Sequence, residues 1–146
     1  MSLPLDDLYR EIILDHYKRP RNRGELDPHT VRAEGNNPLC GDEIQVDVRL
    51  ADGKIEAIAF QGRGCSISQA SASMMTEAVK DQDLKDVAEL VDIFKRMMHG
   101  EDVDLDELGD IEALEGVQKF PVRIKCALLA WTTLEQALDE AAEETP

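Results

Sequence analysis

The chain has 146 residues, with 31 acidic and 16 basic side chains and a formal charge of −15. That length suits one domain, 1–146, able to bury a core without cross-links, and so negative a surface repels DNA and RNA, which excludes nucleic acid as an expected partner. No stretch approaches the roughly 20 apolar residues of a membrane span, and the start Met1-Ser2-Leu3-Pro4 lacks a basic and apolar signal, so the sequence predicts a cytoplasmic protein with reduced thiols and no membrane contact.

Leu5, Leu8, Tyr9, Ile12, Ile13, His16 and Tyr17 keep helical spacing until Lys18-Arg19-Pro20, which predicts an amphipathic first helix ended by Pro20. Residues 20 to 38 hold three prolines and read as a long irregular connection, with 31 to 36 as a candidate strand. Ile44 to Leu50 and Ile55 to Phe60 alternate as strands around Ala51-Asp52-Gly53-Lys54, a hairpin signal. Two strands are marginal alone, so the expectation is an α+β fold: a three-stranded antiparallel sheet with helices packed against it.

Ser66-Ile67-Ser68-Gln69 matches a capping box, and Ile67, Ala70, Met74 and Ala78 continue at helical spacing. Leu84, Val87, Leu90, Val91, Phe94 and Met97 predict another amphipathic helix, ended by His99-Gly100. A weaker acidic segment with Leu105, Leu108, Ile111 and Leu114 predicts a short helix, and the last helix runs from about Pro121 to Ala142. Met74, Met75, Met97 and Met98 read as core filler, and His16 as a packed residue of its helix stripe.

The chemistry concentrates in three cysteines and one aspartate: Cys40, Asp42, Cys65 and Cys126. Taken singly, a cysteine is as readily a small buried hydrophobe as a ligand. Here each stands beside a turn or a helix start, where anions are favoured, and the odd number argues for a metal site over disulfides. Cys40-Gly41-Asp42 places two donors around a glycine where a loop enters a strand. Cys65 follows Gly62-Arg63-Gly64, and Cys126 follows Pro121-Val122-Arg123-Ile124-Lys125. A thiolate and carboxylate set suits zinc or an iron centre over magnesium or calcium. His29 and His99 are the remaining candidate ligands, and Arg63, Arg123 and Lys125 form a candidate docking patch on an acidic background.

With these residues quoted, the chain resembles the U-type iron-sulfur cluster assembly family, which contains IscU and the N-terminal domain of NifU. Asn36-Asn37-Pro38-Leu39-Cys40-Gly41-Asp42, Gly62 to Ser73 and Pro121 to Trp131 match that family's three motifs in order. Two departures resemble the SufU branch: Lys125 stands where the scaffold branch carries a histidine, and the stretch from Cys65 to Cys126 is lengthened around Glu101 to Val117. The resemblance implies an IscU/SufU-like fold and a zinc ion held by Cys40, Asp42, Cys65 and Cys126. It also implies a sulfur relay in which Cys40 accepts persulfide sulfur from a cysteine desulfurase of the SufS type, a partner histidine replacing it on zinc, with SUF scaffold proteins downstream. On that view Asp42 eases the departure of Cys40, and Arg63, Arg123 and Lys125 meet acidic groups on the desulfurase. Two alternatives stay open: a scaffold carrying iron or an iron-sulfur cluster on the same ligands, and a structural zinc module for interaction.

Overall fold

A computed structural model describes residues 5–38, 41–104 and 108–144. The order is α1 (Leu5–Lys18), β1 (Val31–Asn37), β2 (Asp42–Ala51), β3 (Lys54–Arg63), α2 (Ser66–Val79), α3 (Leu84–Met98), a run of 3-10 turns over Gly109–Lys119, and α4 (Pro121–Glu144). The sheet is three-stranded and antiparallel in the order β1-β2-β3, as the sequence predicts.

Asp52 and Gly53 take φ of 54° and 75°, the left-handed pair that a two-residue hairpin turn needs to match strand twist. The register passes from Leu50 opposite Ile55 to Arg49 opposite Ala57, which leaves Glu56 as an extra residue. That bulge is why both Ile55 and Ile58 are buried despite their odd spacing.

Helix α4 packs across β1 and β2, and α2 lies among α1, α4 and β3. Small residues let the neighbours approach: Ala70, Ser71, Ala72 and Ser73 are all fully buried. Their hydroxyls are satisfied. Ser71 donates to the Ala127 carbonyl at 2.6 Å and accepts from Trp131 Nε1 at 3.0 Å, while Ser73 Oγ accepts the Arg21 N–H at 2.9 Å. Trp131 also stacks on Phe94 of α3, with ring centroids 4.4 Å apart. Met74, Met75, Met97 and Met98 are buried core, as expected.

The connection before β1 runs along the free edge of β3, with Gly24 N–H on the Phe60 carbonyl and Phe60 N–H on that of Asn22. It shelters Asp47, only 1% exposed, whose carboxylate takes the Arg32 fork at 2.6 and 2.9 Å and the Leu26 N–H at 3.0 Å. Burial pushes the Asp47 carboxyl up, but the Arg32 and Leu26 hydrogen bonds outweigh it and the net shift is down.

The acidic segment forms a short helix as expected, of the 3-10 type. Leu108, Ile111, Leu114 and Val117 recur every third residue, the period of a 3-10 turn, and all four are buried. Leu105, part of that expectation, lies outside the described residues. Two ties hold the segment: Tyr9 donates to Glu112 at 2.8 Å, and His16, buried in α1, bonds Ser73 at 2.8 Å and Asp110 at 2.9 Å. The tautomer with Nε2–H on the carboxylate and Nδ1 accepting the Ser73 hydroxyl satisfies both. No helix among the described residues is long and apolar enough to cross a membrane.

Candidate metal centre

Asp42 opens β2 and is 1% exposed. Its Oδ1 accepts the Cys65 N–H at 2.9 Å, and the Ser68 hydroxyl lies 3.3 Å from the same oxygen. Ser68 has one proton and a second, closer acceptor, the Cys65 carbonyl at 3.0 Å, so the backbone bond dominates.

Cys65 is the residue that caps α2, with φ −71° and ψ 169° and no capping bond from its own side chain. The capping box expected at Ser66 does not form, because Ser66 is already the first helical residue. A carboxylate from 23 positions earlier takes the free N–H instead, at the helix end where negative charge is favoured. The contact depends on Gly64. A Cβ there would collide with the Asp42 carboxylate and with Ser68 Oγ.

The second oxygen, Asp42 Oδ2, is buried without a hydrogen-bond partner among the described residues. An unmet buried carboxylate oxygen costs about 1–3 kcal/mol or more, so its placement calls for a cation. Asp42, Cys65 and Cys126 supply it with company: their ligand atoms lie within 4.8 Å of one another. Cys126, fully buried, sits in the second turn of α4 with Sγ 3.9 Å from the Val122 carbonyl. One hard oxygen and two sulfurs converging there fit zinc or iron and do not fit the all-oxygen shells of magnesium or calcium.

Cys40, the fourth expected ligand, lies outside the described residues. It belongs to the four-residue connection between Asn37 and Asp42, which face each other across β1 and β2, and its neighbour Gly41 has φ +71°. His29 bonds the Leu26 carbonyl and His99 that of Lys95, and neither joins the cluster.

The three expected docking cations part ways. Arg123, exposed at the start of α4, is raised above its usual pKa first by a hydrogen bond with Cys126 and then by the charge of Cys65, so its guanidinium stands beside both sulfurs. Arg63 is exposed and paired at 3.1 Å with Glu43, its register partner. Lys125 is exposed on α4. Sequence reasoning missed Asn37, named only within the first motif: its buried amide donates to Cys126 Sγ at 3.8 Å. It also missed Ser68. The available signal was Asn37's place within the first motif and Ser68's within the second.

Residues 8–127 match the family model described as the NifU-like N terminal domain. The chain is 51% identical over 135 residues to the zinc-dependent sulfurtransferase SufU of Bacillus subtilis strain 168, covering 92% of this chain and 91% of that one. It is 46% identical over 139 residues to the iron-sulfur cluster assembly scaffold protein IscU of Streptococcus pyogenes serotype M1, covering 94% and 87%. A solved structure described as an iron-sulfur cluster assembly scaffold protein for the SUF system, from Fervidobacterium islandicum AW-1, superposes with a TM-score of 0.84 at 36% identity, covering 88% of this chain and 94% of that one. On the family match and these similarities together, the chain belongs to the NifU-like N-terminal domain family.

Proposed function

We propose that this protein relays sulfur for iron-sulfur cluster assembly, taking it onto Cys40 from the persulfide of a cysteine desulfurase, with one zinc ion held by Asp42, Cys65, Cys126 and Cys40. The observation that carries the reading is the partnerless buried oxygen of Asp42 beside two thiols. Chain geometry supports the fourth ligand, since two peptide units hold the Cys40 and Asp42 Cα atoms within about 7.6 Å. The similarity to the Bacillus subtilis sulfurtransferase supports the activity.

Bound there, zinc would keep thiols deprotonated at neutral pH without redox chemistry of its own. The chain's residues do the rest. The Cys65 N–H fixes one oxygen of Asp42 and aims the other, the Asn37 amide orients Cys126, and the Arg123 guanidinium offsets the negative charge of the sulfurs. The transfer balances without an oxidant: the Cys40 thiolate attacks the terminal sulfur of the donor's persulfide, that S–S bond breaks, the donor leaves as a thiolate, and Cys40 carries the persulfide.

A scaffold for cluster assembly is the second reading, favoured by the name of the Streptococcus pyogenes relative. Lys125 weighs against it, because an ammonium with a reference pKa of about 10.4 is a poor ligand near pH 7. Anaerobic purification with metal analysis separates the two: colourless protein with zinc supports relay, and a coloured cluster supports the scaffold. Adding the desulfurase and cysteine then tests relay itself. Sulfide release stimulated by wild type and abolished by Cys40→Ser is the expected result, and equal stimulation by both proteins overturns the reading.

A further inference from the structure

An open cavity of about 670 Å³ lies where α1, the start of α2, the 3-10 segment and the start of α4 meet. Tyr9, Ile13, Ile67, Val117 and Phe120 give it an apolar floor, and Phe120 is 62% exposed. Among the described residues its charged lining is Arg10, Lys119 and Arg123, without a carboxylate. Acids outnumber bases almost two to one along the chain, so an all-cationic rim runs against the composition.

Two acids of the 3-10 segment are held by side-chain hydrogen bonds. Glu112 is held by the Tyr9 hydroxyl and Asp110 by His16, while Val117 and Lys119 of the same segment face the cavity. Ser66, next to Cys65, and Arg123, beside both sulfurs, also line it, so whatever fills the cavity adjoins the metal centre.

We propose that this groove is the docking site for a segment of the sulfur-donating desulfurase that carries apolar side chains flanked by carboxylates, with the 3-10 segment as one wall. The inference rests on the relay reading. Apolar contact supplies affinity, and the cationic rim selects an acidic segment and speeds encounter at low salt.

The test measures the Kd of full-length protein for the purified cognate desulfurase by calorimetry, and KM and kcat for sulfur transfer. Arg10→Glu/Lys119→Glu and Phe120→Ser alter exposed groove positions, and Lys54→Glu/Lys85→Glu makes the same charge change elsewhere on the surface. Expected are a tenfold or greater rise in Kd and KM for the groove double variant at nearly unchanged kcat, a threefold or greater rise for Phe120→Ser, and changes within twofold for the control. Intact transfer with wild-type Kd in both groove variants overturns the inference and leaves the relay standing, as does an equal loss in the control. Wild-type protein that neither binds the desulfurase nor accepts sulfur overturns both. Self-association abolished by Arg10→Glu/Lys119→Glu, with desulfurase affinity untouched, assigns the groove to a second copy and also overturns it.

Discussion

The Cys65 N–H donates to Asp42 Oδ1 at 2.9 Å, so the residue that opens β2 caps helix α2 from 23 positions away. One carboxylate thereby joins sheet and helix through one oxygen and offers the other to the thiols. Fold and the proposed metal chemistry share this side chain, and changes to it separate the two roles.

Asp42→Ala removes both. Zinc affinity falls by tenfold or more, read by competition with a chromophoric chelator, while in the metal-free protein the lost cap of about 1 kcal/mol is offset by removal of the partnerless buried oxygen. Asp42→Cys is the sharper variant: it is expected to keep zinc but slow sulfur transfer, because a fourth thiolate makes Cys40 harder to release. A wild-type transfer rate would contradict that role for Asp42.

Gly64→Ala puts a methyl group where the Asp42 carboxylate and Ser68 hydroxyl lie. Overpacking of this kind costs about 1–3 kcal/mol. The displaced carboxylate should also cut the thermal stabilisation that added zinc gives wild type, measured as the Tm difference with and without chelator.

Asp47 links stability to pH. Its folded-state pKa is depressed, so its contribution is present above the unfolded value of about 3.9 and is lost as pH falls through the folded value. Urea midpoints followed from about pH 6 to pH 2.5 should therefore fall more steeply below about pH 4 in wild type than in Asp47→Asn. Arg32→Met leaves the Asp47 carboxylate without its fork and should lower the urea midpoint near pH 7.

Ser73→Ala removes the hydroxyl between the Arg21 N–H and His16 Nδ1. Two buried groups lose their partner, so a cost of about 2 kcal/mol is expected in denaturant unfolding. Faster amide exchange over Gly109–Lys119 should accompany it, because His16 is also the tie to Asp110.

Local chemistry was legible in the sequence wherever local physics decides. Asp52-Gly53 announces its turn, Pro121 begins its helix, and His99-Gly100 ends another. The cap of α2 was not legible: Ser66 to Gln69 matches a local motif, but the acceptor that forms comes from Asp42, which only the folded sheet brings near. The short helix of the acidic segment was legible in the spacing of Leu108, Ile111 and Leu114, and its strict three-residue period, continued by Val117, is that of the 3-10 turns that form. The candidate ligands stood out because thiols are few, whereas Asn37 and Ser68, which lie against Cys126 and Asp42, belong to residue types common in any turn or helix start.

Zinc K-edge X-ray absorption on protein purified anaerobically in reducing buffer examines the metal centre most directly. One zinc per chain with three sulfurs at about 2.3 Å and one oxygen at about 2.0 Å is the result expected for Cys40, Cys65, Cys126 and Asp42. A protein that takes up no zinc, or a shell of nitrogen and oxygen alone, would contradict the account.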